Sequence, residues 1–230
     1  MNVLTRSSAN PMPQGSLSRV PGWWLLLLGL IAYSKPWLIN SGVSLSLNAF
    51  DLAEWASLHP AVRNSNPPLL TSLLLRLPLL CLALIAAFYQ SDAKADWLRL
   101  LFVVGIGVSL LPPLEFFTQA RADPNYQQQF ILSLATLIGG FGGGSAKVNA
   151  LRRPIILTIT LVGAVTCLIG LAQGYNLMQA FGLATQVGLG GIVLTLVFAV
   201  IFFICLQSTR AQANKNKQGS TSVRATLFLT

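Results

Sequence analysis

Charge is scarce in this sequence. It holds six acidic residues in 230, and Asp, Glu, Lys and Arg together make up 9% of the chain. An average soluble domain carries roughly 25%. A water-facing surface cannot be covered with so few charges, so composition excludes an ordinary soluble globular domain. The single histidine excludes a site built on two histidine ligands, and HExxH, GxSxG and CxxC are all missing. The three cysteines, Cys81, Cys167 and Cys205, each lie inside an apolar run with no second cysteine at metal-ligand spacing. They read as buried thiols. Neither a metal nor a cofactor is expected.

Hydrophobic residues fill the place of charge, at 53% of the chain. A bilayer-spanning helix needs roughly 17–25 mostly apolar residues. Six segments qualify, at about 22–38, 68–89, 97–117, 126–145, 154–174 and 183–206. The first is short and interrupted by Lys35-Pro36, and the fourth is the least apolar. Trp23, Trp24, Trp37, Trp97, Tyr89, Tyr126 and Tyr175 fall at or near segment ends, where amphipathic rings prefer to sit.

Basic residues favour cytoplasmic loops. With the N-terminus inside, the inner segments carry Arg6, Arg19, Lys94, Arg99, Lys147, Arg152, Arg153, Arg210, Lys215, Lys217 and Arg224, which is 11 of the 15 basic residues. Lys35, Arg63, Arg76 and Arg121 are left for the outer side or the membrane. This split accounts for the net charge of +9 without nucleic acid. The expected fold is all-α: a polytopic bundle of about six transmembrane helices over 22–206, with a short outer-side helix between the first two spans. Both termini are placed in the cytoplasm and the protein in the cell membrane. The tails 1–21 and 207–230 are rich in Ser, Asn, Gln and Thr and are expected to be disordered. The first apolar run also has features of a signal peptide, but 21 residues precede it, and it is read as a retained span.

"SLNAFDLAEWASLHP", residues 46–60, reads as a short helix. Asn48 is a good N-cap with Asp51 three residues on, and Pro60 disfavours helical geometry at His59. At 100° per residue, Leu47, Phe50, Asp51, Glu54, Trp55 and Leu58 share one side, while Ala49, Leu52, Ala53, Ala56 and His59 take the other. Acids beside aromatics suit a protein surface better than lipid, so this mixed face is expected to pack on protein. Capping accounts for Asp51 and leaves Glu54 as the stronger candidate for ion pairing or ligand binding, with the lone His59 beside them.

"LLLRLPLL" puts Arg76 roughly 12 Å into the second span at 1.5 Å per residue. A charge there is costly unless it snorkels, pairs or meets water. Glu115, following Pro112-Pro113 near the same outer side, is the first expected partner and Glu54 the second. The pair reads either as a structural tie or as a site for a polar or ionic substrate. "GGFGGGS", residues 139–145, lacks the Gly-Lys-Ser/Thr ending of a phosphate loop. Its GxxxG spacings (Gly139 with Gly143, Gly140 with Gly144), Gly170 with Gly174, and "VGLGG" at 187–191 read as close helix packing. The rival is a broken helix lining a substrate path.

Three function classes follow. The first is a permease-type component or transporter subunit for a small substrate, acting with partner subunits. The second is a non-transporting structural or accessory subunit of a larger membrane complex. The third is an intramembrane enzyme acting on a lipid-linked substrate. The sequence contains no soluble nucleotide-binding domain, so ATP-derived energy would come from a partner chain. The expected partners are the bilayer and other membrane subunits or further copies of the chain, with no nucleic acid. A polar path joining Arg76, Glu115, Glu54 and the glycine segments would favour transport, and their dispersal would favour a subunit.

Overall fold

The computed structural model describes residues 22–40, 42, 44–88, 96–143 and 151–207. The tails expected over 1–21 and 207–230 lie outside these residues, Gln207 excepted. The chain is mostly helical. In order it forms α1 (Trp23–Ser34), β1 (Leu38–Asn40), β2 (Leu45–Leu47), α2 (Ala49–Leu58), α3 (Pro60–Arg63), α4 (Leu70–Phe88), α5 (Asp96–Ser109), α6 (Glu115–Thr118), α7 (Pro124–Gly142), α8 (Arg152–Ala180), β3 (Gln186–Val187) and α9 (Leu189–Gln207). Three of these helices, α4, α8 and α9, are long and apolar enough to cross a membrane.

The ends of several segments differ from expectation. α1 has 12 residues, because Pro36 cannot continue the helix and the chain turns into β1. α5 stops at Ser109 after 14 residues, since Pro112 and Pro113 have no N–H to donate. The remainder of that segment is a turn and the single-turn α6. α8 continues beyond the expected end at about 174 to Ala180.

Successive long helices reverse direction. The Thr71 hydroxyl of α4 donates to the Gln173 Oε1 of α8 at 2.9 Å, and Gly170 packs beside the Leu74 carbonyl. Ser133 of α7 donates to the Gly107 carbonyl of α5 at 2.6 Å. α4 lies at the centre, packed against α1, α2, α5, α7 and α8. Its Leu75, Leu82, Ala83, Ala86 and Ala87 are wholly buried.

α7 is arranged inside out. Asn125, Gln129, Ser133 and Thr136 face the interior, while Ile131, Leu134, Ile138 and Phe141 are exposed. Asn125 and Gln129 bond to Glu54, Ser133 to the Gly107 carbonyl and Thr136 to the Leu132 carbonyl, and the apolar stripe is left for the exterior. α1, α5, α8 and α9 carry apolar exteriors too, through Leu28, Leu101, Leu168 and Leu196 among others.

One end of the bundle is closed by a cap that departs from a purely α fold. β1 lies between β2 and β3, antiparallel to both, with Leu38 opposite Leu47 and Val187. The Gly188 and Gly190 amides donate to the carbonyls of Trp37 (2.8 Å) and Pro36 (2.9 Å). A Cβ on Gly190 would sit 2.6 Å from the Lys35 carbonyl oxygen, so only glycine permits this approach.

α2 begins and ends where the sequence indicates. Asn48 Oδ1 accepts from the amides of Phe50 and Asp51 at 2.9 and 3.0 Å, and His59 is the C-cap. The acidic–aromatic side meets protein as expected, through Glu54 and through Trp55, whose ring centre lies 4.7 Å from that of Phe181, but the most deeply buried face is the opposite one. Ala49, Leu52, Ala53 and Ala56, not the acidic–aromatic side, are fully buried, and Ala53 gives its carbonyl to the Ser72 hydroxyl of α4 at 3.0 Å. Small side chains let the two backbones approach closely, which Phe50 and Trp55 could not allow.

Candidate functional site

Beneath the cap, three helices bring charge and amides together. Arg76 enters from α4 and is completely buried. Glu54 comes from the edge of α2, its side chain 36% exposed. α7 supplies the rest. Asp123 is its N-cap, with Oδ1 accepting from the Asn125 amide at 2.8 Å, and Pro124 occupies the first turn. The following turn presents Asn125, Gln128 and Gln129 at i, i+3 and i+4, all on one face.

The side chains form a closed set of hydrogen bonds. Arg76 Nη2 donates to Glu54 Oε1 at 2.6 Å. Arg76 Nη1 donates to Asn125 Oδ1 at 2.8 Å and to Gln128 Oε1 at 3.0 Å. Asn125 Nδ2 donates to Glu54 Oε2 at 3.3 Å, and Gln129 Nε2 donates to Glu54 Oε1. Gln128 donates from its own Nε2 to the Leu69 carbonyl at 3.3 Å. Asn125 thus bridges the two charges, with its oxygen on the cation and its nitrogen on the anion. Both carboxylate oxygens are engaged. Arg76 Nε is the guanidinium nitrogen without a partner. Charge-assisted bonds of this kind are about twice as strong as neutral ones. Here they tie α2, α4 and α7 into one unit.

Of the sequence candidates, Arg76 and Glu54 meet and the others do not join them. Glu115 is exposed in α6 and makes no ion pair among the described residues. It is therefore not the partner of Arg76, because the early end of α5 carries it out beyond the bundle. Asp51 is exposed and accepts from Asn48 Nδ2 at 2.7 Å, which is a capping role. His59 caps α3, its Nδ1 accepting from the Ala61 amide at 3.1 Å, and its ring meets Phe181 edge-on at 4.6 Å. A second ion pair, Arg63 to Asp123 at 3.0 Å, fastens α3 to the start of α7.

The amides Asn125, Gln128 and Gln129 escaped sequence reading. Their signal was the polar run "NYQQQF", which lowers the hydropathy of the fourth segment and was read only as weakness. An open groove of about 370 Å³ lies beside them, bordered by Leu69, Leu73, Gln128, Ile131 and Leu132 among others. Gly139, Gly140, Gly143, Gly170, Gly174, Gly188, Gly190 and Gly191 are packing surfaces, Gly142 meets nothing within 4 Å, and Gly144 lies outside the described residues. A Cβ on Gly143 would lie 2.7 Å from the Ala87 carbonyl oxygen, and one on Gly174 2.8 Å from Leu52. Among the described residues no three His, Cys, Asp or Glu side chains converge as metal ligands. The network itself contains a single carboxylate and no hydroxyl or thiol. Its chemistry is cohesion between helices. No family model, no curated protein and no solved structure matches the chain.

Proposed function

We propose that the chain is a six-span integral membrane protein of the cell membrane, with both termini cytoplasmic, serving as a non-transporting structural or accessory subunit of a membrane complex. The observation that carries this reading is the Arg76 network: the buried guanidinium is paired with Glu54 and bonded to two amides of α7, and Gly139, Gly140, Gly143, Gly170 and Gly174, which could have opened a path, lie against neighbouring elements. Six spans are supported by the alternating directions of α1, α4, α5, α7, α8 and α9 and by the apolar exteriors of all but the central α4. The orientation is supported by charge. Arg99, Arg152 and Arg153 start helices at the end away from the cap, while Lys35, Arg63 and Arg121 lie at the cap.

A permease-type role for a small substrate is the second reading. It draws on the partial exposure of Glu54 and on Gln128, which belongs to both the network and the groove. The reading gives the chain no catalytic role.

Two measurements test the first proposal. Cysteines placed at Asn64 and Ser220, in a background without the three native ones, should react with impermeant reagent from opposite sides. Reaction from the same side would overturn the topology. Native gel analysis of membranes solubilised in mild detergent should show the chain migrating with partner chains in fixed ratio. Migration as a lone monomer would sink the subunit reading.

A further inference from the structure

We propose that Arg99 and Arg152 form a binding site for the phosphate of an anionic phospholipid headgroup at the end of the bundle away from the cap. The inference rests on the membrane reading above. It begins with the ends of two parallel helices. α4 finishes at Phe88 and α7 at Gly142, and the Gly143 backbone lies against the Ala87 carbonyl. Each end leaves carbonyls without helical partners. Arg99, in the first turn of α5, donates from Nη1 to the Ala87 oxygen at 3.4 Å. Arg152, the first residue of α8, donates from Nη2 to the Gly143 oxygen at 3.4 Å.

Two guanidiniums are thereby drawn to adjoining helix ends, near enough to act on each other's charge. The Arg99 side chain is 12% exposed, and both Nε atoms are buried without a partner. The nearby carboxylate is Asp96, half exposed, with Oδ1 3.6 Å from Arg99 Nη2. Among the described residues, one carboxylate stands beside these two cations. Arg152 is half-buried, and its Nη2 bond to Gly143 is a long one at 3.4 Å.

The inside-positive bias accounts for the sign of this end. It does not account for two guanidiniums turned back between helices and set beside each other, where repulsion costs stability unless an anion joins them. Phosphate oxygens match the fork of a guanidinium. Basic pockets between spans on the cytoplasmic side are where headgroup phosphates dock, and the cytoplasmic leaflet is anionic. The same chemistry would accept free phosphate, so the test separates the two sources.

The purified full chain in mild detergent is offered phosphatidylglycerol or phosphatidylcholine with the same acyl chains, and retention is read by native mass spectrometry. Phosphatidylglycerol should be retained about tenfold more, because the phosphate is common to both lipids but the choline ammonium cancels the headgroup charge and is repelled by the two arginines. Arg99→Gln with Arg152→Gln should abolish the preference, while Arg63→Gln with Arg121→Gln, at the cap, should keep it. If the first double variant does not fold, Arg99→Lys with Arg152→Lys keeps the charge, and it should retain part of the preference. Equal uptake of the two lipids by the native chain, an undiminished preference in the glutamine variant or an undiminished preference in the lysine variant would overturn the site. Complete displacement of the lipid by millimolar inorganic phosphate would assign the site to the soluble ion and overturn the headgroup. Release of the chain from membranes by alkaline carbonate would sink the membrane reading itself, whereas firm retention with equal lipid uptake sinks the lipid site alone.

Discussion

Arg76 in the middle of the bundle donates a hydrogen bond from Nη2 to Glu54 of the short helix α2 at 2.6 Å, and Asn125 of α7 holds both partners at once. One arginine therefore joins three helices. Its removal leaves the Glu54 carboxylate and the Asn125 and Gln128 amide oxygens to find other partners, and the loss of Glu54 leaves a buried cation. Breaking a buried pair costs about 3–5 kcal/mol. The partial exposure of Glu54 puts Arg76→Leu and Glu54→Leu near the lower end, at about 3 kcal/mol each. The double variant should recover part of that loss, though not all, because the amides stay unmatched. Thermal unfolding in one detergent measures the cycle. Strictly additive losses would show that the two side chains do not meet.

Asn125 and Glu115 should behave as opposites. Asn125→Leu strips a hydrogen bond from each charge and should cost about 1–3 kcal/mol. Glu115→Gln changes an exposed side chain and should stay within about 0.5 kcal/mol of the parent. The same unfolding measurement decides, and a large loss at Glu115 would restore it as a partner of Arg76.

Much of this architecture was legible in the chain. The apolar runs, the Asn48 cap, the stop at His59 and the burial of Cys81, Cys167 and Cys205 all follow from local rules and appear as expected. That Arg76 needs a carboxylate also follows, from the cost of a lone charge among apolar residues. Which carboxylate answers is a matter of tertiary distance. Pro112 and Pro113 end α5 early and move Glu115 away, and the alanine face of α2 seats Glu54 over α4. The wheel of α2 marks the mixed face that meets protein but not the more deeply buried alanine face, because close helix approach selects small side chains. The three-stranded cap was not legible, since strands of two or three residues carry too little alternation to read.

Glycine substitutions separate tight joints from open surface. Gly190→Ala would press a methyl group between the Lys35 and Ala32 carbonyls, at 2.6 and 2.8 Å, where backbone must move. The expected loss is about 1–3 kcal/mol, with weakened pairing of the cap. Gly105, on the exposed side of α5, meets nothing within 4 Å. Gly105→Ala should be neutral or stabilising by up to about 1 kcal/mol through helix propensity. A loss at Gly105 matching that at Gly190 would mean the α5 exterior is covered.

Tryptophans test what surrounds the bundle. Trp24 and Trp97 are 81% and 61% exposed, whereas Trp37 is fully buried beneath the cap. Trp24 opens α1 and Trp97 opens α5, and Trp23 meets Phe102 of α5 at 6.0 Å between ring centres, so both helices start at the same end. Indole rings at the start of spanning helices belong at headgroup level. In single-tryptophan variants reconstituted into vesicles, lipids brominated near the glycerol should quench Trp24 and Trp97 strongly. Lipids brominated near the chain terminus should quench them less, and neither should reach Trp37. If Trp24 and Trp97 respond to aqueous iodide and to neither brominated lipid, the apolar exterior at that end faces something other than a bilayer.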